Sequence, residues 1–371
     1  MGLWIARHKS HTAPKLIFPT GPCIFPGVKH RPSLPVRLGR SALLLAFFGL
    51  AIHIILPQIT ALHDSLDVVR RLRGWALALA VVAQVLSYIA GGFLLHSIAK
   101  LVGSKLSTRR AALVNMGAQS VGILGSGNLG YGAAIFRWLR QEGVRPEGAM
   151  LAGWLPFALI TSMQTIFALF GVVVLILTNR LSPAMAGAFF LVFAILVGVL
   201  SGMFLSARSR SRFTARSVGI RKGWARLLRQ PFDRIHARQR ASRMFVAIHR
   251  LRLGGWRGPA LGALLYVGFD LLTLGFLFVA TGYPIRPATV LAGYGLPLVL
   301  GKLTVLPGGV GIVEGAMAAL YEGMAVPGGV AVVAILAYRL ISFWLPMLAG
   351  FPLIVYFQRG GGRRRRHHRT R

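Results

Sequence analysis

Several apolar runs in this chain exceed the ~18 residues that mark a membrane-spanning helix. No other feature constrains its fold as strongly. Hydrocarbon offers no partners to backbone N–H and C=O groups, so such runs must satisfy their own backbone, as helices do. Eight apolar segments occur, at 41–62, 74–97, 111–136, 148–178, 184–206, 259–281, 288–326 and 330–357. Each is long enough for one crossing of ~20 residues. The expected class is an all-α polytopic membrane protein.

Charge reinforces that reading. The 371 residues include 43 Lys or Arg against 8 Asp or Glu, a formal charge of +35. On a soluble chain this balance would point to nucleic acid. Here the charges lie between apolar segments, where the positive-inside rule and anionic headgroups account for them. Anionic membrane lipids are therefore the expected partners, and no nucleic acid is expected. Residues 1–40 hold seven Lys or Arg, six prolines and no acid, the composition of a disordered basic cytoplasmic arm. No small-residue cleavage site follows the first apolar run, so a removed signal peptide is not expected. The single cysteine, Cys23, and ten histidines without ligand spacing leave no expected metal or cofactor.

Topology follows from the basic loops. Eight single crossings from a cytoplasmic N-terminus would place loop 207–258, with fifteen Lys or Arg and one acid, outside. The conflict vanishes if 111–136 enters and leaves on one side as a re-entrant hairpin. Gly117, Gly122, Gly125, Gly127, Gly130 and Gly132 make that segment a poor straight helix. The same treatment of 288–326 brings the tail at 358–371, with Arg363 to Arg366, inside as well. The transmembrane domain 41–357 then has about six full spans plus two re-entrant Gly-rich hairpins, with both termini cytoplasmic. Its halves, 41–178 and 184–357, have the same order and opposite orientation. A displacement of 181 residues aligns Gly127, Gly130, Leu139, Pro146 and Gly148 with Gly308, Gly311, Leu320, Pro327 and Gly329. This is the pattern of an inverted repeat, in which interrupted segments at matching places mark a substrate site.

Ionisable groups inside the apolar segments are Asp270, Lys302, Glu314 and Arg339. Such groups are costly and are functional candidates by default. Two readings compete. They can form structural pairs, Glu314 with Arg339 or Asp270 with Lys302, or they can meet a charged headgroup. Arg339 is the preferred ligand because its planar fork fits phosphate, with Lys302 as a supporting point charge. The turn Gly308, Gly309, Gly311 precedes a helix, so its amides can cradle an anion or simply allow close packing. The first hairpin offers Asn115, Gln119, Ser120, Ser126 and Asn128, with Arg137 and Arg140 at its rim. His53, His96 and Gln84 read as interhelical bonding groups. Arginines and aromatics alternate along 207–258, as in interfacial helices.

The string Pro307-Gly308-Gly309-Val310-Gly311-Ile312-Val313-Glu314, with Tyr338-Arg339-Leu340 and Trp344-Leu345-Pro346, resembles the flippase-like membrane region of lysylphosphatidylglycerol synthases and their stand-alone relatives. Ser126-Gly127-Asn128-Leu129-Gly130-Tyr131-Gly132 with Arg137-Trp138-Leu139 is similar to that family's first-half motif. The resemblance covers residues 40 to 357. It implies a lipid flippase of a bacterial-type inner membrane, acting on a phospholipid or lipid-linked headgroup, and no enzyme. A non-transporting membrane scaffold or regulator of envelope synthesis is the alternative, favoured if Glu314 and Arg339 form a closed pair. Some relatives carry an acid where this chain has Asn128. After Phe357 comes only a basic tail, so no aminoacyl-transfer chemistry carries over.

Overall fold

Helices carry all the regular structure among the described residues, in two runs with the same order. The structure is a computed structural model. It describes residues 66–124, 127–178, 255–303 and 307–367, with scattered positions between 186 and 242. All these residues belong to the unit Ala51–Arg371. The arm at 1–40, the apolar segment 41–62 and most of 184–206 and 207–258 lie outside the described residues.

After a short helix, Leu66–Arg70, the first run is α1 Gly74–Leu101, α2 Thr108–Leu124, α3 Asn128–Gln141 and α4 Pro146–Leu177. The second is α5 Arg257–Ala280, α6 Pro287–Leu303, a single turn at Pro307–Gly309, α7 Ile312–Gly323, α8 Gly328–Arg339, a π-helical turn Leu340–Trp344 and α9 Leu345–His367. Shifting the first run by 181 residues brings each of its four helix starts within three residues of a start in the second.

Length divides the helices into two kinds. Gly74–Leu101, Pro146–Leu177, Arg257–Ala280 and Gly328–Phe357 are long and apolar enough to cross a membrane. At 1.5 Å per residue, α2, α3, α6 and α7 reach only about 18 to 25 Å, short of the ~30 Å hydrocarbon core. They pair into two helical hairpins at the glycine breaks, within the segments expected to turn back on themselves. In the first, Tyr131 of α3 reaches Asn115 of α2. In the second, Tyr321 of α7 donates to the Val290 carbonyl of α6 at 3.2 Å.

The long helices are inside-out by the standard of water-soluble proteins. α1 buries Ala76, Ala80, Ala83, Gln84 and Ser87 and exposes Trp75, Leu79, Val82, Val85 and Ile89. α4 buries Thr161, Gln164 and Thr165 and exposes Ile166, Phe170 and Val173. Lipid is as apolar as leucine, so close packing of small and polar residues replaces the hydrophobic drive between helices. The outer leucines and valines then face their solvent.

The first helices of the two halves run in opposite directions. α1 and α5 pack antiparallel along their length. The Arg73 amide donates to the Ala280 carbonyl, the Thr273 hydroxyl to that of Ala80 and the Ser87 hydroxyl to that of Tyr266. Near the other end, Gly262 lies on the Leu94 backbone. One further pair of contacts matches between the halves: α6 packs on α4 as α2 packs on α9. One boundary differs from the sequence reading, since the last helix does not stop at Phe357 but continues to His367.

Candidate functional site

Two of the four ionisable groups singled out in the second half, Glu314 and Arg339, sit in settings set by the glycine break and the π turn. Gly311, at φ 84°, opens α7, and its amide donates to Glu314 Oε2 at 2.7 Å. Arg339, the last residue of α8, donates from Nε to Glu314 Oε1 at 2.6 Å and from Nη2 to the Gly308 carbonyl at 2.9 Å. The π turn brings Phe343 under the guanidinium, 4.2 Å from ring centroid to Cζ. Glu314 and Arg339 are 6% and 4% exposed. Of the two pairings left open by the sequence, this one forms.

Side chains are excluded at two of the turn glycines, exposed Gly308 and buried Gly309. A Cβ on Gly308 would meet the Phe343 ring at 2.2 Å, and one on Gly309 would meet Gly301 Cα at 2.6 Å. Both have positive φ, 67° and 63°. At least one amide of the expected anion cradle, that of Gly311, is taken by the chain's own Glu314.

The other expected pair does not form. Asp270 Oδ2 accepts from Tyr294 and Tyr338 hydroxyls at 2.6 and 2.7 Å. Lys302 instead donates to Gln164 Oε1 at 2.6 Å and Thr161 Oγ1 at 3.3 Å, with Phe157 at 5.7 Å. The two residues are linked indirectly, because Gln164 also bonds Tyr294. The tyrosine hydroxyls give the Asp270 carboxylate hydrogen bonds but no opposite charge, and a lysine on a flexible stem takes the nearest acceptors.

The two hairpins meet at their tips. Asn128 Nδ2, at the start of α3, donates to the Lys302 carbonyl at the end of α6 at 3.2 Å. Deeper in the first hairpin, Asn115 accepts from Tyr131 at 2.8 Å, Gln119 bonds Tyr266 of α5, and Ser120 donates to the Met347 carbonyl at 2.9 Å. Arg137 is exposed, away from these groups, and Arg140 closes the end of α3 by donating to the Val144 carbonyl. His96 bonds the Leu106 carbonyl. His53 and Ser126 lie outside the described residues.

The model of the lysylphosphatidylglycerol synthase TM region matches residues 36–350. The chain belongs to this family of membrane proteins. Curated relatives of this family member share shorter stretches. It is 35% identical over 88 residues to the UPF0104 membrane protein PH1989 of Pyrococcus horikoshii, covering 24% of this chain and 26% of that one. A UPF0104 membrane protein of Methanothermobacter thermautotrophicus is 28% identical over 137 residues, 37% of this chain and 39% of its own. The chain thus aligns with well under half the length of either.

Sequence reasoning missed Tyr294, Gln164 and Thr161 as partners of the charged groups, and took Gln84 for an isolated bonding group. Gln164 and Thr161 carried a readable signal, two polar residues three apart in an apolar run. Tyr294 carried none. Phe343 depends on the π turn, which adds a residue to the helical repeat.

Proposed function

We propose that this family member moves the headgroup of a phospholipid or lipid-linked compound between leaflets, making and breaking no covalent bond. The observation that carries the reading is the meeting of two broken-helix hairpins, one from each half, at Asn128 and Lys302. Irregular backbone among membrane helices is tolerated where it lies within protein or lines a polar path, and inverted repeats place substrate there. In this reading both hairpins re-enter the bilayer, the membrane is a bacterial-type inner membrane, and the termini are cytoplasmic.

Lys302 takes the role first expected of Arg339. Among the described residues no carboxylate lies in contact with its ammonium, whereas Arg339 is engaged by Glu314 and Gly308. Lys302 receives the phosphate, Asn128 closes on it from the first hairpin, and Arg339 holds the turn behind. The closed Glu314–Arg339 pair is also what a non-transporting scaffold or regulator would contain. Movement of lipid decides between the two.

The full chain in vesicles of phosphatidylglycerol and phosphatidylethanolamine should expose inner-leaflet fluorescent analogues of these lipids to dithionite faster than empty vesicles do. Lys302→Met should slow that exposure roughly tenfold or more, the worth of about 1.5 to 3 kcal/mol for a bond to a charged group. Wild-type vesicles no faster than empty ones would leave the scaffold reading.

A further inference from the structure

Asp270 is the only acid of α5, lies near its middle and is 6% exposed. Its partners in contact are all neutral: Tyr294, Tyr338 and Gln84. Lys302 acts on it only from a distance, and Arg339 is bound to Glu314. A carboxylate kept for structure alone would be expected beside a cation, because an unpaired buried charge is expensive.

Gln84 supplies a second, independent observation. Its side chain is 3% exposed and bonds Asp270 and Tyr88, yet its Oε1 has no partner among protein atoms. A carboxamide presents N–H donors on one side and an acceptor on the other, and rotation exchanges them. The donor side suits a carboxylate. The acceptor side suits a carboxylic O–H, which would give Gln84 Oε1 something to accept. Partners are thus in place for Asp270 in both protonation states.

We propose that Asp270 reversibly binds a proton, and that this proton is the coupling ion of lipid movement. The second clause rests on the translocator reading. The proton arrives from water on one side and leaves to the other, with no bond or redox change elsewhere. Its presence is felt at the hairpin tip through hydrogen bonds that run from Asp270 to Tyr294, Gln164 and Lys302. Neutral Asp270 holds both tyrosines more weakly than the carboxylate does, freeing Gln164 and Lys302 to rearrange. The groups that act on Asp270 are Gln84 and Tyr88 from α1, Tyr294 and Lys302 from α6, Tyr338 from α8 and Tyr266 on its own helix, with Gln164 of α4 behind Tyr294 and Arg339 of α8 behind Tyr338.

Infrared difference spectra of the full chain in phosphatidylglycerol and phosphatidylethanolamine vesicles, taken across pH, read the proton directly. A carbonyl band of a protonated carboxyl should appear at low pH in wild type and in Glu314→Gln, and be lost in Asp270→Asn. Tyr294→Phe keeps the ring and removes one donor to the carboxylate, so the band should persist to higher pH. That shift tests the site even if Asp270→Asn fails to fold. An imposed pH gradient should change exposure of the fluorescent lipids several-fold in wild type and not in Asp270→Asn. No band, or a band unchanged in folded Asp270→Asn and in Tyr294→Phe, overturns the proton site. A correct band with gradient-independent lipid movement overturns the coupling. If wild type moves neither lipid, the translocator reading fails and takes the coupling with it, while the band still decides the proton site.

Discussion

Glu314 joins three parts of the second half with one carboxylate, the start of α7 through Gly311, the end of α8 through Arg339, and by way of Arg339 the Gly308 carbonyl. Removing its charge leaves a buried guanidinium uncompensated. Glu314→Gln should therefore cost about 3 kcal/mol or more, seen as a lower thermal unfolding midpoint in detergent. Arg339→Lys retains a cation but not the fork that reaches both Glu314 and Gly308. It should lose less, about 1 to 2 kcal/mol, and slow lipid exposure with most protein still folded. Unchanged midpoints for both variants would mean that the pair does not hold the turn. Gly309→Ala places a Cβ 2.6 Å from Gly301 Cα at a φ of 63°, and should lower stability by about 1 to 3 kcal/mol. Loss of transport there would come with loss of fold, since the space beside the Gly309 Cα is occupied by the Gly301 backbone.

At the scale of elements, the α1–α5 crossing makes the sharpest prediction. A Cβ on Gly262 would lie 2.8 Å from Leu94 Cα, while one on Gly268 in the same helix would meet nothing within 4 Å. Gly262→Ala should push the antiparallel helices apart and lower the yield of monodisperse protein. Gly268→Ala should be neutral or slightly stabilising, by up to ~1 kcal/mol from helix propensity. Equal behaviour of the two would mean that close approach at Gly262 is not needed. The long helices were legible because a membrane span is set by length and apolar content, and their boundaries agree with the apolar segments to within a few residues. The hairpin breaks were legible from glycine. The π turn was not: Leu340-Ile341-Ser342-Phe343-Trp344 reads as ordinary helix, and the extra residue is held in part by Tyr88 of α1 donating to the Ser342 carbonyl at 2.5 Å.

For the whole molecule, the repeat displaced by 181 residues and the antiparallel α1–α5 pair describe two halves of opposite direction. Such halves can rock about their shared crossing while the hairpin tips part and close. On the positive-inside rule the basic loop and tail are expected on the cytoplasmic side. In a Cys23→Ser background, Ser211→Cys and Thr370→Cys should both be shielded from an impermeant thiol reagent in intact cells and react after lysis. Labelling of either in intact cells would overturn the cytoplasmic assignment and with it the re-entrant count.

The sequence by itself determined the solvent. Runs of apolar residues of spanning length, basic stretches between them and matching glycine breaks follow from composition along the chain, which each segment reports without knowing its neighbours. It also marked the four ionisable groups, because a charge in such a run is costly wherever it ends up. Only the tertiary structure decided their partners. Arg339 meets Glu314 because a π turn and a positive-φ glycine bring α8 onto the start of α7. Asp270 meets two tyrosines instead of Lys302 because α6 and α8 converge on α5 there, while Lys302, two turns further along α6, falls beside Gln164 and Thr161 of α4. A side chain's partner depends on rotation and depth of packed helices, which are set by contacts between distant segments and leave no trace in local order.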